Sequence, residues 1–140
     1  LNFAMTGGQV APTTVEHMRT MTTPYGSAEP RFDVCKLAEA AGATHVERWT
    51  TAMPNQCVAA IKRAMQHKGF SLIEIVSQCP THYGRYALKT GDPIKVIEWI
   101  KNYTYTEADE KKGVDTEGKL KCGKFVECDR PVYQGTNGQI

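Results

Sequence analysis

An α/β fold, with a mostly parallel sheet and helices on both faces, is what this chain predicts. Residues 44–50 read as a short strand, residues 54–67 as a helix and residues 70–76 as a second strand, the order of a βαβ unit. The second of these strands, Phe70-Ser71-Leu72-Ile73-Glu74-Ile75-Val76, is nearly continuous in apolar residues, the mark of a strand covered on both faces. Asp92-Pro93 then supplies an N-cap and a proline at the first helical position, opening another helix.

Ahead of that unit, residues 6–31 carry glycine turns at Gly7-Gly8 and Tyr25-Gly26, with Pro12, Pro24, Pro30 and many threonines. That composition leaves few residues for packing and predicts an extended loop, and loops of this length in compact domains are usually functional. From Asp33 onward Val34, Leu37, Ala38 and Ala41 recur at helical spacing, and Gly42 follows where a left-handed C-cap is wanted, so a helix is predicted over 32–41. The strand at 44–50 alternates small or polar with larger side chains. In the next helix Pro54 occupies the first turn, Cys57, Val58, Ile61, Ala64 and Met65 line one face, and Gly69 ends the run. The helix opened by Asp92 continues through Ile94, Ile97, Trp99 and Ile100. From Thr104 the chain is polar, charged and broken by glycine, with one short strand predicted at Lys124–Glu127. The expected organisation is therefore one domain over 1–103 with a carboxyl-terminal extension over 104–140.

Hydrophobic and charged residues make up 41% and 23% of the chain, near the averages for soluble globular domains, and a net charge of +2 gives no footprint for nucleic acid. No apolar stretch approaches the roughly 20 residues of a membrane span. The five cysteines, Cys35, Cys57, Cys79, Cys122 and Cys128, are odd in number and scattered, which argues against a disulfide framework and against a self-contained zinc site. Reduced thiols and a cytoplasmic location are expected. Leu1, rather than Met, precedes a glycine turn with no element before it, as expected of a chain entered midway.

Ligands of an open parallel sheet lie beyond the carboxyl ends of its strands, which selects residues 2–9, Trp49-Thr50-Thr51 and the loop Ser77 to Gly84. Consecutive glycines at 7 and 8 let backbone N–H groups approach an anion, and Thr6 and Gln9 can add hydrogen bonds. An ordinary turn reads the same way, and neither the Walker nor the dinucleotide fingerprint is present. Cys79 is either a cysteine that merely follows a buried strand or a thiolate ligand to iron. His17, His45, His67 and His82 are dispersed without metal-ligand spacing and are expected at the surface. No Gly-x-Ser-x-Gly elbow and no His-x-x-x-His helix occur, so no catalytic residue is assigned.

Three segments together carry a resemblance: Met5-Thr6-Gly7-Gly8-Gln9-Val10-Ala11-Pro12-Thr13-Thr14, Thr23-Pro24-Tyr25-Gly26 and Phe32-Asp33-Val34-Cys35-Lys36-Leu37-Ala38. Ala41-Gly42-Ala43-Thr44, Arg48-Trp49-Thr50-Thr51, Lys68-Gly69-Phe70-Ser71 and Ser77-Gln78-Cys79-Pro80-Thr81 extend it to about residue 85. In this order and spacing they resemble the β subunits of 2-oxoacid:ferredoxin oxidoreductases, most of all the 2-oxoglutarate enzyme. The resemblance implies part of a thiamine-diphosphate-binding fold whose first half, with a Gly-Asp-Gly motif for magnesium, is not in this chain. It implies that the backbone carbonyl of Asn2 binds Mg2+, that Ala4 and Met5 pass close to thiamine diphosphate, and that Thr6 is a side-chain contact. It makes Cys79 the fourth thiolate of a 4Fe-4S cluster. At Gly7 some relatives carry a lysine that aids 2-oxoacid recognition, so this position leaves the substrate open.

The activity implied is oxidative decarboxylation of a 2-oxoacid, 2-oxoglutarate first, to its coenzyme A thioester with reduction of ferredoxin, in assembly with an α subunit. Pyruvate or a branched-chain 2-oxoacid is the alternative substrate, and a non-catalytic assembly module is the alternative role. The chain is not expected to be active alone.

Overall fold

A computed structural model describes residues 2–3, 5–77 and 79–131. Ahead of the predicted βαβ unit, β1 (Asn2–Phe3) and β2 (Gln9–Val10) pair antiparallel as a short hairpin, β2 falling within the segment expected as an extended loop. Helix α1 (Val34–Ala40) starts at Asp33, whose carboxylate accepts from the backbone N–H groups of Cys35 and Lys36. The βαβ unit follows as β3 (His45–Thr50), α2 (Pro54–Gln66) and β4 (Ser71–Val76), with β3 and β4 parallel and in register from His45↔Ser71 to Thr50↔Val76. Helix α3 (Pro93–Tyr103) is capped by Asp92, whose Oδ1 accepts from Ile94 N–H at 2.9 Å.

Beyond α3 the polar segment is more regular than its composition suggested. It forms β5 (Thr104–Thr106), α4 (Glu107–Lys111) and β6 (Leu120–Glu127). The short strand expected at Lys124–Glu127 is eight residues long. It runs between β3 and β5 in a four-stranded sheet of order β4-β3-β6-β5, antiparallel to β3 and parallel to β5. The sheet is thus mixed, with two of its three pairings parallel. Glycine and lysine obscured β6 in the sequence because one of its faces is half open and its register with β3 shifts at Val46/Glu47.

Successive strand residues face opposite sides, which assigns the layers. Val46, Arg48 and Thr50 of β3 share a face with Leu72, Glu74 and Val76 of β4. That face is covered by α1, where Cys35 and Ala38 pack with Val46, and by α3, where Ile100 packs with Val76 and Leu120. The opposite face, with His45, Glu47 and Trp49, lies under α2, whose Arg63 reaches Glu47. Helices therefore cover both faces, as the sequence predicted. Among the described residues no helix is long and apolar enough to cross a membrane.

Gly69, between α2 and β4, has φ +142°, and a Cβ there would lie 2.3 Å from the hydroxyl oxygen of Thr44. That hydroxyl is 2.7 Å from His67 Nε2 and 3.2 Å from the carbonyl of Phe70, so it cannot move aside freely. Gly69→Ala is expected to cost about 2 kcal/mol, read as a lowered urea midpoint with unchanged slope. A midpoint equal to wild type would show that this turn relaxes.

Candidate functional site

Strand β4 ends at Val76, and the chain turns at once through a π-helical turn over Pro80–Gly84. The turn is closed by Gly84 N–H donating to the carbonyl of Cys79 at 2.7 Å. A Cβ on Gly84 would stand 2.6 Å from the carbonyl oxygen of Thr90, so glycine is required for this close approach. Cys79 is partly exposed at the mouth of the turn. Its sulfur accepts from His82 N–H at 3.4 Å and lies 3.2 Å from the Thr81 hydroxyl. Burial raises the thiol pKa, but the Thr81 hydroxyl and the N–H groups of His82, Tyr83 and Thr81 outweigh it and bring the pKa below its ordinary value. The turn therefore stabilises the thiolate, the form that binds iron, relative to an ordinary cysteine.

The opening segment forms the second part of the site. In the hairpin turn the Thr6 hydroxyl donates to Gln9 Oε1 at 2.7 Å, and Gln9 Nε2 donates to the Thr6 carbonyl at 2.7 Å. These two side chains thus hold each other in this conformation. Gly7 and Gly8 take φ of +115° and +84°, conformations that favour glycine. Met5 is fully exposed beside them. Asn2 lies in β1 through its backbone, while Ala4 lies outside the described residues. Gly8 is buried against His82, so the opening turn and the Cys79 turn, 70 residues apart in sequence, meet in space.

In the third segment selected from the sequence, Trp49 points under α2, its Nε1–H donating to Glu47 Oε2 at 2.7 Å, Thr50 is buried, and Thr51 N–H donates to the carbonyl of Val76 at 3.1 Å, at the end of β4 from which the Cys79 turn departs. The surface position expected for the histidines fails for His45, which is 1% exposed. A strand covered on both faces buries every residue it carries, polar ones included. His45 Nε2 sits 3.0 Å from Glu47 Oε1, and Arg63 donates to both oxygens of that carboxylate at 2.8 and 2.7 Å. Burial raises the Glu47 pKa, and the Arg63 and Trp49 hydrogen bonds more than reverse this, leaving it below its ordinary value.

On the other face Arg48 is 2% exposed and pairs with Asp33 and with Glu74, Nε to Oε2 at 2.6 Å, while its Nη1 donates to the Lys121 carbonyl. Its guanidinium also lies 5.1 Å from the centre of the Phe125 ring. These groups floor a cavity of about 220 Å³ that Thr13, Arg31 and Ser77 help to line, at the carboxyl end of β4. Neither cluster was visible in the sequence, because their residues share no motif; the parallel register sets Arg48 beside Glu74, and the packing of α1 brings its N-cap Asp33 to them. Neighbouring Cys35 is fully buried, and burial pushes its thiol up to about 12, which makes it inert.

Among the described residues no three His, Cys, Asp or Glu side chains converge as a metal site. The residues present fit the implied groups only as single contributors: Cys79 as one thiolate held by N–H donors, and Asn2 through its backbone.

Residues 2–75 match the family model described as thiamine pyrophosphate enzyme, C-terminal TPP binding domain. The chain is 44% identical over 133 residues to the 2-oxoglutarate synthase subunit KorB of Methanocaldococcus jannaschii, covering 94% of this chain and 49% of that protein. It is 55% identical over 96 residues to the subunit of the same name from Archaeoglobus fulgidus, covering 69% of this chain and 35% of that one. Among solved structures, a 2-oxoglutarate:ferredoxin oxidoreductase from Magnetococcus marinus, with 2-oxoglutarate, coenzyme A and succinyl-CoA bound, superposes with a TM-score of 0.71 at 26% identity, over 93% of this chain and 45% of that one. The chain spans about half the length of the curated relatives it matches first.

Proposed function

Because the chain belongs to the thiamine pyrophosphate enzyme family, in its C-terminal TPP-binding domain, we propose that it is the carboxyl-terminal part of the β subunit of a 2-oxoglutarate:ferredoxin oxidoreductase. The reaction is coenzyme A-dependent oxidative decarboxylation of 2-oxoglutarate to succinyl-CoA, with electrons passed to ferredoxin. The observation that carries this reading is 44% identity to a 2-oxoglutarate synthase subunit, sustained along 94% of the chain. An α subunit completes the assembly, and five free cysteines suit the cytoplasm. Residues 1–103 are the cofactor-binding part, and 104–140 are an extension that adds β6 to its sheet.

Thiamine diphosphate supplies the carbanion chemistry when bound. The chain's contribution is positional. The Gly7-Gly8 turn would present backbone donors, the Asn2 carbonyl would offer one oxygen to Mg2+, and Met5 and Thr6 would line the approach to the cofactor, a role the resemblance also gives Ala4. Magnesium commonly shares its octahedral oxygen set with phosphates, so one carbonyl is a sufficient share for this segment. Cys79 would contribute the thiolate of a 4Fe-4S cluster, and the Thr81 hydroxyl and the His82 N–H beside its sulfur help to stabilise that charge.

The substrate assignment is tested by a 2-oxoacid panel on the assembled enzyme, with 2-oxoglutarate expected to have the highest kcat/KM. Faster turnover of pyruvate or a branched-chain 2-oxoacid would reassign it. For the cluster, Cys79→Ser is expected to lower bound iron and to change the reduced-state electron paramagnetic resonance (EPR) spectrum. Iron content and spectrum equal to wild type would remove Cys79 from the ligand set.

A further inference from the structure

The Cys79 turn is anchored at two consecutive residues. Tyr83, 1% exposed, packs toward α3, its ring 5.6 Å from that of Trp99. His82 instead packs against the opening segment. A Cβ placed on Gly8 would stand 2.3 Å from His82 Cε1, 3.1 Å from His82 Nδ1 and 3.3 Å from Met21 Cβ. Only a residue without a side chain lets the His82 ring come this close to the backbone of the glycine turn.

His82 touches both parts of the site through different atoms. Its backbone N–H donates to the Cys79 sulfur at 3.4 Å. Its ring lies over Gly8 and stands 4.9 Å from the Tyr86 ring. The Nδ1 atom is buried without a hydrogen-bond partner among the described residues. With no protein partner for this nitrogen, the close contact with Gly8 is what fixes this side of the ring, and contact in a close-packed region transmits displacement. Gly8 is held from its other side by the Thr22 hydroxyl, which donates to its carbonyl at 3.4 Å.

We propose that His82 is a positioning residue that couples the Cys79 thiolate to the Gly7-Gly8 turn, so that cluster ligand and cofactor loop are held as one unit. The proposal rests on the reading of Cys79 as a cluster ligand and of the turn as part of the thiamine diphosphate site. His82 itself touches neither group. Its effect passes through the sulfur on one side and through the glycine backbone on the other.

The test is a double-mutant cycle in the assembled holoenzyme, reading thiamine diphosphate affinity, iron content and the EPR spectrum of the reduced cluster. His82→Ala is expected to weaken thiamine diphosphate binding about tenfold and to alter the EPR line shape, with iron content unchanged. Gly8→Ala is expected to do the same by displacing the ring. In the double variant Gly8→Ala adds less than it does alone, because the ring atoms it struck are gone while the strain of its positive φ and the Met21 contact are the same in both backgrounds. Independent, multiplying effects on affinity would overturn the proposal. So would His82→Ala with unchanged thiamine diphosphate affinity, and this variant alone decides if Gly8→Ala does not fold. Iron retained in Cys79→Ser would overturn the cluster reading and the proposal with it, whereas iron lost there together with a null His82→Ala overturns the proposal alone.

Discussion

Arg48→Met is expected to lower the unfolding free energy of the chain by about 3 kcal/mol, at the lower end of what removing one partner of a buried ion pair costs. The guanidinium is 2% exposed, and it joins Asp33 at the start of α1, Glu74 on β4 and the Lys121 carbonyl on β6. Methionine fills much of the volume but satisfies none of these oxygens. Two carboxylates are then left facing each other beside Cys35. Both are partly hydrated, with side chains 29% and 21% exposed, which is why the loss stays near the lower end of the range. Urea unfolding followed by far-ultraviolet circular dichroism measures it. A change under about 1 kcal/mol would mean that the cluster is already solvated and contributes as a surface pair does.

Glu47→Gln is the second large effect, and it carries a pH signature. At neutral pH the loss of charge weakens two Arg63 hydrogen bonds, while glutamine can still accept from Trp49, so about 2 kcal/mol is expected. The folded-state pKa of Glu47 lies below its ordinary value, as does that of Asp33, where burial acts upward and the Arg48 hydrogen bond and charge act downward more strongly. A depressed carboxylate stabilises the fold at pH values above its unfolded pKa. That contribution is lost as pH falls below the ordinary carboxylate range and through the folded pKa. Wild type and Glu47→Gln should therefore converge in stability on acidification. The convergence is measured as urea midpoints from about pH 7 to about pH 3. A gap between the two proteins that stays constant over this range would show that the Glu47 charge is not what stabilises β3 under α2.

Periodicity and capping made the βαβ core legible. Gly42 and Gly69 end the helices they were expected to end within a few residues, and Asp33, Pro54 and Asp92-Pro93 mark helix starts. These signals are local, and each depends on a residue type with one dominant backbone role. By contrast β5 and the full length of β6 depend on partners distant in sequence. Thr104–Thr106, for instance, is a strand only because it lies beside Leu120–Cys122. Buried polarity was the least legible feature. A charged residue on an alternating strand reads as solvent-facing unless the second covering layer is known, so His45, Glu47 and Arg48 concealed their burial. In the candidate site, Cys79 and the glycine turn could be selected from strand ends, but their meeting through His82 is a tertiary fact with no sequence spacing to announce it.

The place of β6 has a consequence for how the chain acquires its structure during synthesis. Strands β3 and β4 can pair as soon as both have left the ribosome, with α1 and α2 already available to cover them. By contrast the other edge of β3 has β6 as its hydrogen-bonding neighbour among the described strands, and of those strands β6 is made last. For the time a ribosome takes to make residues 107–127, roughly one to four seconds at 5–20 residues per second, that edge of β3 waits open. The nascent chain thus exposes a strand edge able to pair with a neighbouring chain until the late insertion of β6 closes it.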